Sequence, residues 1–451
     1  MKDHTVHASS RHRGDRRALR RKAALFALPL ACWSGVASAQ NLGIGEGVIL
    51  EPVLPYDYDQ DRNVSLRQQL QRDYGALGLR TGAFLIFPQI EAGVGASDNV
   101  TLAPQGEQED LLFRFAPSLD LRSDWARHRI DLSASSVINR YADQTLLDRN
   151  TWDIGAQGRL DVGDYADISA EGRVSQLQEE PFSSGLEAEQ AILSRYRRDF
   201  AALRGSRQVG RTRLSATAAY THFAFQDVDL GDGTFGSQAN RDREQFTLAA
   251  QGEYALSPGA VTYVQLSHTT TEFRLPGTPA DPARDSRTWR LLGGFNADLP
   301  GVLRGTIAAG YMRRDFDSEL HDPIDGFSAE AEVTYFYDAS TNFVLSARRV
   351  LQEAPTGSSD AFFDTSVRLT AERTVRRNVL LSVGGYVGTI DEVQSPVSYD
   401  VQQVNASAEY FAPRWFGIRL SAAYSRRDGK GTTLPSDVHE MSALLTLVFH
   451  P

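Results

Sequence analysis

The side chains of this sequence that could do chemistry stand at every second position within apolar runs. Asp153 and Arg159, Glu171 and Arg173, Glu253, Arg290, Glu330 and Glu332, Arg368, Glu409 and Arg419 all alternate with aliphatic, aromatic or small residues. An Arg guanidinium offers five donors in a planar fork that fits a carboxylate or a phosphate. Facing ladders of Arg and carboxylate can therefore knit into ion pairs that fill a space, or set a transverse field across a wet pore and hydrogen-bond passing anions such as acidic sugars. Ordinary solvation of a polar wall accounts for the same residues equally well. All eleven are expected to line a lumen.

Other constellations fall short of a site. Asp57, Asp59, Asp61 and Asn63 have the spacing that opens a calcium loop, but Arg62 and Gln68 stand where that loop needs Gly and Glu. Asp227, Asp229, Asp232 and Gly233 could collect a hard cation through oxygen, and a solvated acidic loop is the simpler reading. His128, His222, His268, His321, His439 and His450 are scattered, and no Gly-x-Ser-x-Gly elbow occurs. The expectation is a chain that is not an enzyme, with no catalytic residue, cofactor or metal.

The elements that must position the charged ladders are strands. Phe246, Leu248, Ala250, Gly252 and Tyr254 alternate with Gln245, Thr247, Gln251 and Glu253. Phe327, Ala329, Ala331, Val333, Tyr335 and Tyr337 oppose Ser328, Glu330, Glu332 and Thr334 in the same way. Short links with turn chemistry fall near Asp124, Asp164, Gln208, Pro258, Pro300, Ala339, Arg376 and Pro413. Longer polar stretches lie between them, near 99–110, 141–148, 179–191, 227–239, 275–285, 317–325, 355–360, 392–398 and 429–436. Eight turns at one end and nine loops at the other predict an all-β, transmembrane, antiparallel up-and-down β-barrel of about 18 strands, with 16 as the next count. Aromatic residues near the turns (Tyr254 and Tyr263, Tyr337 and Phe343, Tyr410, Phe411, Trp415 and Phe416) are expected to form an interfacial girdle.

A barrel is also what lipid demands. Every backbone N–H and C=O in hydrocarbon must be paired, and only a closed sheet has no edge. A charge on the lipid face near the midplane costs on the order of 2 to 4 kcal/mol, so the ladders must face inward. A β-solenoid would show similar alternation, but segments of about 12 to 15 residues exceed the usual globular strand and suffice to cross a bilayer when tilted.

Of 451 residues, 41% are apolar and 23% charged, which excludes disorder, and beyond the N-terminus no window approaches 18 unbroken apolar residues. Residues 1–39 read as an export signal: a basic stretch with Arg16, Arg17, Arg20, Arg21 and Lys22, an apolar run from Ala23 to Val36, and Ala37-Ser38-Ala39 before the expected cleavage. The sole cysteine, Cys32, lies in that leader, so the expected mature chain has no thiol for disulfides or metal. The leader holds eight of the 47 basic and two of the 57 acidic residues, leaving 39 against 55, a balance that excludes nucleic acid as a partner. Residues 40–80 form a periplasmic segment with a short helix near Ser65 to Tyr74, read either as a mobile tail or as a partial lumen insert, and 81–451 the barrel.

The run Tyr74, Leu77, Gly78, Leu79, Arg80, Gly82, Phe84, followed by Pro88, Glu91, Gly93, Gly95, Asp98, Asn99 and Val100, resembles the entry of the type 2 β-barrel porin family. Ala96 and Ser97 stand where an aromatic residue and a second Asp are common. The resemblance implies an outer-membrane β-barrel of the kind linked to export of extracellular polysaccharide, and it supplies no catalytic residues. The expected function is a passive channel or export conduit for hydrated solutes or polysaccharide. The alternative is a docking barrel of an envelope polysaccharide-assembly complex, its lumen closed by charge networks. Expected partners are outer-membrane lipid, the barrel-assembly machinery during biogenesis, and polysaccharide or periplasmic export proteins.

Overall fold

The computed structural model describes residues 63–179, 182, 193–229, 234–275, 284–354, 360–412, 415–431 and 437–450. The expected leader, the segment 40–62 and the Asp57–Asp61 repeat lie outside them. A helix, α1 (Leu66–Tyr74), precedes the strands β1 (Phe84–Ser97), β2 (Asp110–Ser123), β3 (Arg129–Tyr141), β4 (Arg149–Val162), β5 (Ala166–Gln178) and β6 (Arg195–Val209). Next come β7 (Thr212–Phe225), β8 (Arg243–Ser257), β9 (Ala260–Phe273), β10 (Ser286–Leu299), β11 (Leu303–Phe316) and β12 (Ile324–Asp338). The last six are β13 (Thr341–Glu353), β14 (Ala361–Arg376), β15 (Val379–Glu392), β16 (Ser398–Phe411), β17 (Phe416–Lys430) and β18 (Val438–Phe449).

Each strand pairs antiparallel with its chain neighbours, and β1 pairs with β18 through Ile90↔Phe449 to Ser97↔Ser442, which closes an 18-strand barrel. The eight short connections and nine long ones fall where the turn chemistry places them. Gly163 and Gly301 hold two of the tight turns at φ 69, a left-handed backbone that only glycine adopts without strain. Pro88, which has no N–H to give a ladder, sits in the part of β1 that β18 does not reach.

The two-residue period sorts the side chains cleanly. Leu248, Leu291, Tyr311, Leu369, Val404 and Leu445 are exposed on the outer face, as a lipid-facing wall requires. Most expected girdle aromatics share that face, but two do not. Tyr263 is 2% exposed and Phe411 8% exposed, because odd positions of β9 and β16 point inward. Tyr263 lies over Gly294, its partner across β10, where a Cβ would meet the ring at 2.1 Å. Phe411 packs on α1. Among the described residues no helix is long and apolar enough to cross a membrane.

Candidate functional site

The candidate site is the lumen wall. All eleven expected residues lie on the strand face opposite the exposed apolar side chains, and they divide into groups. On β4 and β5, Arg173 Nη1 donates to Asp153 Oδ1 at 2.6 Å while its Nε lies 3.5 Å from Glu171. Across three strands, Arg290 of β10 pairs with Glu330 of β12 and donates through Nε to Ser328 Oγ at 2.9 Å. Near the short-turn mouth, Arg419 donates to Glu409 at 3.0 Å and reaches Glu91 at 3.6 Å across β18.

The remaining four stand apart from these groups. Arg159 Nε donates to Asp161 at 2.9 Å, and Glu253 accepts from Gln251 at 2.9 Å. Arg368 lies 5.0 Å from the centroid of the Tyr386 ring. Glu332 is exposed although it faces inward.

Two elements from outside the strands also bear on the lumen, and the first lies in the segment read as a mobile tail or a partial lumen insert. Helix α1 begins at Ser65, whose hydroxyl accepts from Gln68 N at 3.3 Å while the Gln68 side chain accepts from Ser65 N at 3.2 Å. The helix is strapped into the short-turn mouth at both ends. Asn63 donates to Asp298 and to Leu299 O at 2.9 Å, and accepts from Gly301 N at 2.8 Å. Arg67 pairs with Glu409 and lies 3.8 Å from Glu372, while Leu66 and Leu70 pack against Leu380 and Phe411. The capping pair was legible in the sequence, but its docking partners, more than 200 residues away, were not.

The second intruder is Phe182, which follows β5 in the chain. Its ring joins Phe362, Ile390, Tyr399, Val401 and Val438, all on β14 to β18. Strands β5 and β14 are nine apart in an 18-strand ring, so Phe182 reaches the opposite wall. No sequence signal marked it, because a lone Phe in a polar stretch has no period.

Two further ion pairs were also unforeseen. Arg213 donates to Asp167 at 3.1 Å, and the fully buried Arg314 donates to Thr288 at 3.1 Å with Glu353 at 3.0 Å. The histidines do not converge. His222 lies 3.6 Å from Asp199, His268 stacks on Trp289 at 4.2 Å, His321 meets Asp360 at 2.6 Å and His439 meets Glu107 at 3.1 Å. Of the acidic loop, Asp227 accepts from Gln238 N at 3.4 Å, and Asp232 and Gly233 lie outside the described residues. Among the described residues no group of three His, Cys, Asp or Glu is placed to hold a metal.

The wall can therefore do two things chemically. Its paired charges fix a polar lining, and its exposed inward residues leave parts of both walls open to water. The family model described as "Putative beta-barrel porin 2" matches residues 72–449. No curated protein matches the chain. Among solved structures, OccK2 (OpdF) of Pseudomonas aeruginosa in complex with glucuronate is similar at 11% identity and a TM-score of 0.45, over 81% of this chain and 98% of that one. OpdO of Pseudomonas aeruginosa is similar at 12% identity and 0.44, over 84% and 99%. The FrpB iron transporter of Neisseria meningitidis is similar at 9% and 0.41, over 85% and 83%.

Proposed function

Because the chain belongs to the Putative beta-barrel porin 2 family, and is accordingly a porin-like outer-membrane β-barrel, we propose that it is a passive conduit for hydrated solutes. One observation carries the reading: Gln157 of β4 and Glu332 of β12 face inward and remain exposed on nearly opposite walls, so water reaches both sides of the bore. An 18-strand ring is wider than its own side chains can fill, and many of its inward Arg and carboxylate groups are paired with one another, so solutes meet a largely neutralised polar surface. We extend the proposal to an extended polysaccharide strand as one cargo, since a hydrated polar lining suits its hydroxyls. Outer-membrane lipid and the barrel-assembly machinery are the partners this role requires.

A second reading has its own support. Helix α1 in the short-turn mouth and Phe182 across the lumen both narrow the path, as a docking barrel with a closed lumen would. Single-channel recording of the refolded protein in planar bilayers separates the two. A conduit gives resolved, ohmic steps, whereas a folded protein that stays silent at all voltages removes the conduit and favours the closed barrel.

A further inference from the structure

Parity and burial disagree at one place in the wall. On β13 and β14 the odd positions face lipid, as at Leu345, Val367 and Leu369, which are 38%, 42% and 50% exposed. Toward the long loops the same face continues through Leu351, Ala361 and Phe363, yet these are 0%, 0% and 9% exposed. They pack on Met312 of β11 and Ile324 of β12, which belong to the inward face of their strands. Gly326 shares that inward face, and a Cβ on it would meet the Phe363 ring at 2.9 Å. Glu353, outward on β13 by parity, lies 3.0 Å from the inward and fully buried Arg314. The outer face of the β13–β14 end therefore lies against the inner face of β11 and β12.

The ladders show how it gets there. Strand β12 pairs with β11 as far as Ile324↔Arg314, and β13 with β14 as far as Glu353↔Ala361, but β12 and β13 part beyond Ala329↔Arg349. The end of the hairpin has peeled from the wall and passed inside it. On its other side, Phe362 and Ala354 join the cluster around Phe182. An apolar core thus stands in the long-loop half of the lumen.

We propose, on the conduit reading, that this hairpin end is a two-position gate: infolded it obstructs the bore, and laid along β12 it becomes open wall. The free edge of β12 matches it. Continuing the register by four pairs sets Ser328 opposite Val350, Phe327 opposite Leu351, Gly326 opposite Gln352 and Asp325 opposite Glu353. Leu351 and its neighbour Phe363 then join the 55%-exposed Phe327 on the lipid face, where hydrocarbon receives them as well as a packed core does. No pair below Ala329↔Arg349 has to break. The move trades an apolar contact and the Arg314–Glu353 pair for four ladder pairs, the kind of balance that leaves two packings close in free energy. Asp325 beside Glu353 disfavours the wall position, and Arg314 holds Glu353 in the infolded one.

Disulfide trapping tests this in the full chain carrying Cys32→Ser, refolded under reducing conditions into lipid vesicles and then oxidised. With Phe327→Cys and Leu351→Cys, the thiols stand on opposite faces of β12 when the hairpin is infolded and become cross-strand neighbours in the wall position, so a bridge reports the second position. Val333→Cys with Leu345→Cys, already opposite each other on the outer face, is the control that bridges in either position. Adding Gly326→Leu, whose side chain collides with Phe363 only in the infolded form, should speed the 327–351 bridge about tenfold or more. Glu353→Gln should speed it too, by stranding the buried Arg314 and removing the Asp325 repulsion. The bridged protein should carry a larger single-channel current, which reduction returns to the starting level. A 327–351 pair that stays reduced while the 333–345 pair bridges overturns the proposal. So does a rate unmoved by Gly326→Leu and Glu353→Gln in protein whose heat-modifiable mobility shows a folded barrel. If the cysteine pair prevents folding, Gly326→Leu alone should raise the current, and an unchanged current refutes the gate. Silence of bridged and unbridged protein alike overturns instead the conduit reading on which the gate rests.

Discussion

The strap formed by α1 makes a quantitative prediction for Arg67→Glu. Leu66 and Leu70, each 5% exposed, contribute about 1.5 to 3 kcal/mol apiece on burial. The charged bonds of Arg67 add about 1.5 to 3 kcal/mol, the Ser65 cap about 1, and the Asn63 bonds about 1 each. Against them stands the ordering of residues 63–74, at about 1 kcal/mol or more per residue. The two sides meet within a few kcal/mol at the low end of that entropy range, so the docked helix is marginally held. Arg67→Glu removes the pairing and sets a third carboxylate beside Glu409 and Glu372, a swing of about 3 kcal/mol, or roughly a hundredfold in the docking equilibrium constant, enough to leave the helix undocked. Hydrogen–deuterium exchange reads this directly. Peptides covering 66–74 should lose their remaining protection and exchange near the rate of an unstructured segment while β14 to β16 stay protected. Unchanged exchange in the helix, or a gain spread evenly over the strands, refutes the reasoning.

Four other outcomes follow from the same geometry. Glu330→Ala strands the 8%-exposed Arg290 without its carboxylate and should cost about 3 to 5 kcal/mol in urea unfolding from lipid vesicles, most of it recovered when Arg290→Leu and Glu330→Leu are combined. Gly294→Ala drives a methyl into the Tyr263 ring and should destabilise by about 1 to 3 kcal/mol, seen as a lower urea midpoint with an unchanged slope. Arg419→Ala removes the cation shared by Glu409 and Glu91, so reversal potentials in a salt gradient should move toward cation selectivity. Phe182→Ala takes the ring off the Phe362–Tyr399–Val401 wall and should raise single-channel conductance; an unchanged current would put Phe182 outside the conducting path.

The barrel was legible because lipid and water impose opposite demands on successive residues, and a strand sorts them with a period of two. Turns were equally plain, since Gly163 and Gly301 stand where a left-handed backbone is needed. The girdle was misread at Tyr263 and Phe411 because proximity to a turn was weighed above parity, and parity governs. The inward position of Arg290 could be read, but its partner could not. Its carboxylate, Glu330, stands two strands on, beyond β11, and a linear pattern does not say how many strands a long side chain reaches across. Phe182 and Asn63 were invisible for a related reason: their partners are set by the diameter of the closed ring, a property that exists only after every strand is in place.

The junction of β1 with β18 is the shortest in the ring, with eight register pairs. It is also the one that joins the first and last strands of the barrel, so it can form only when every other strand is in place. A zipper with the fewest teeth at its final closure is where the cylinder would first reopen under load. Any process that parts this wall sideways, whether insertion during assembly or unfolding by force, should therefore start between Ile90 and Phe449 and travel outward from there.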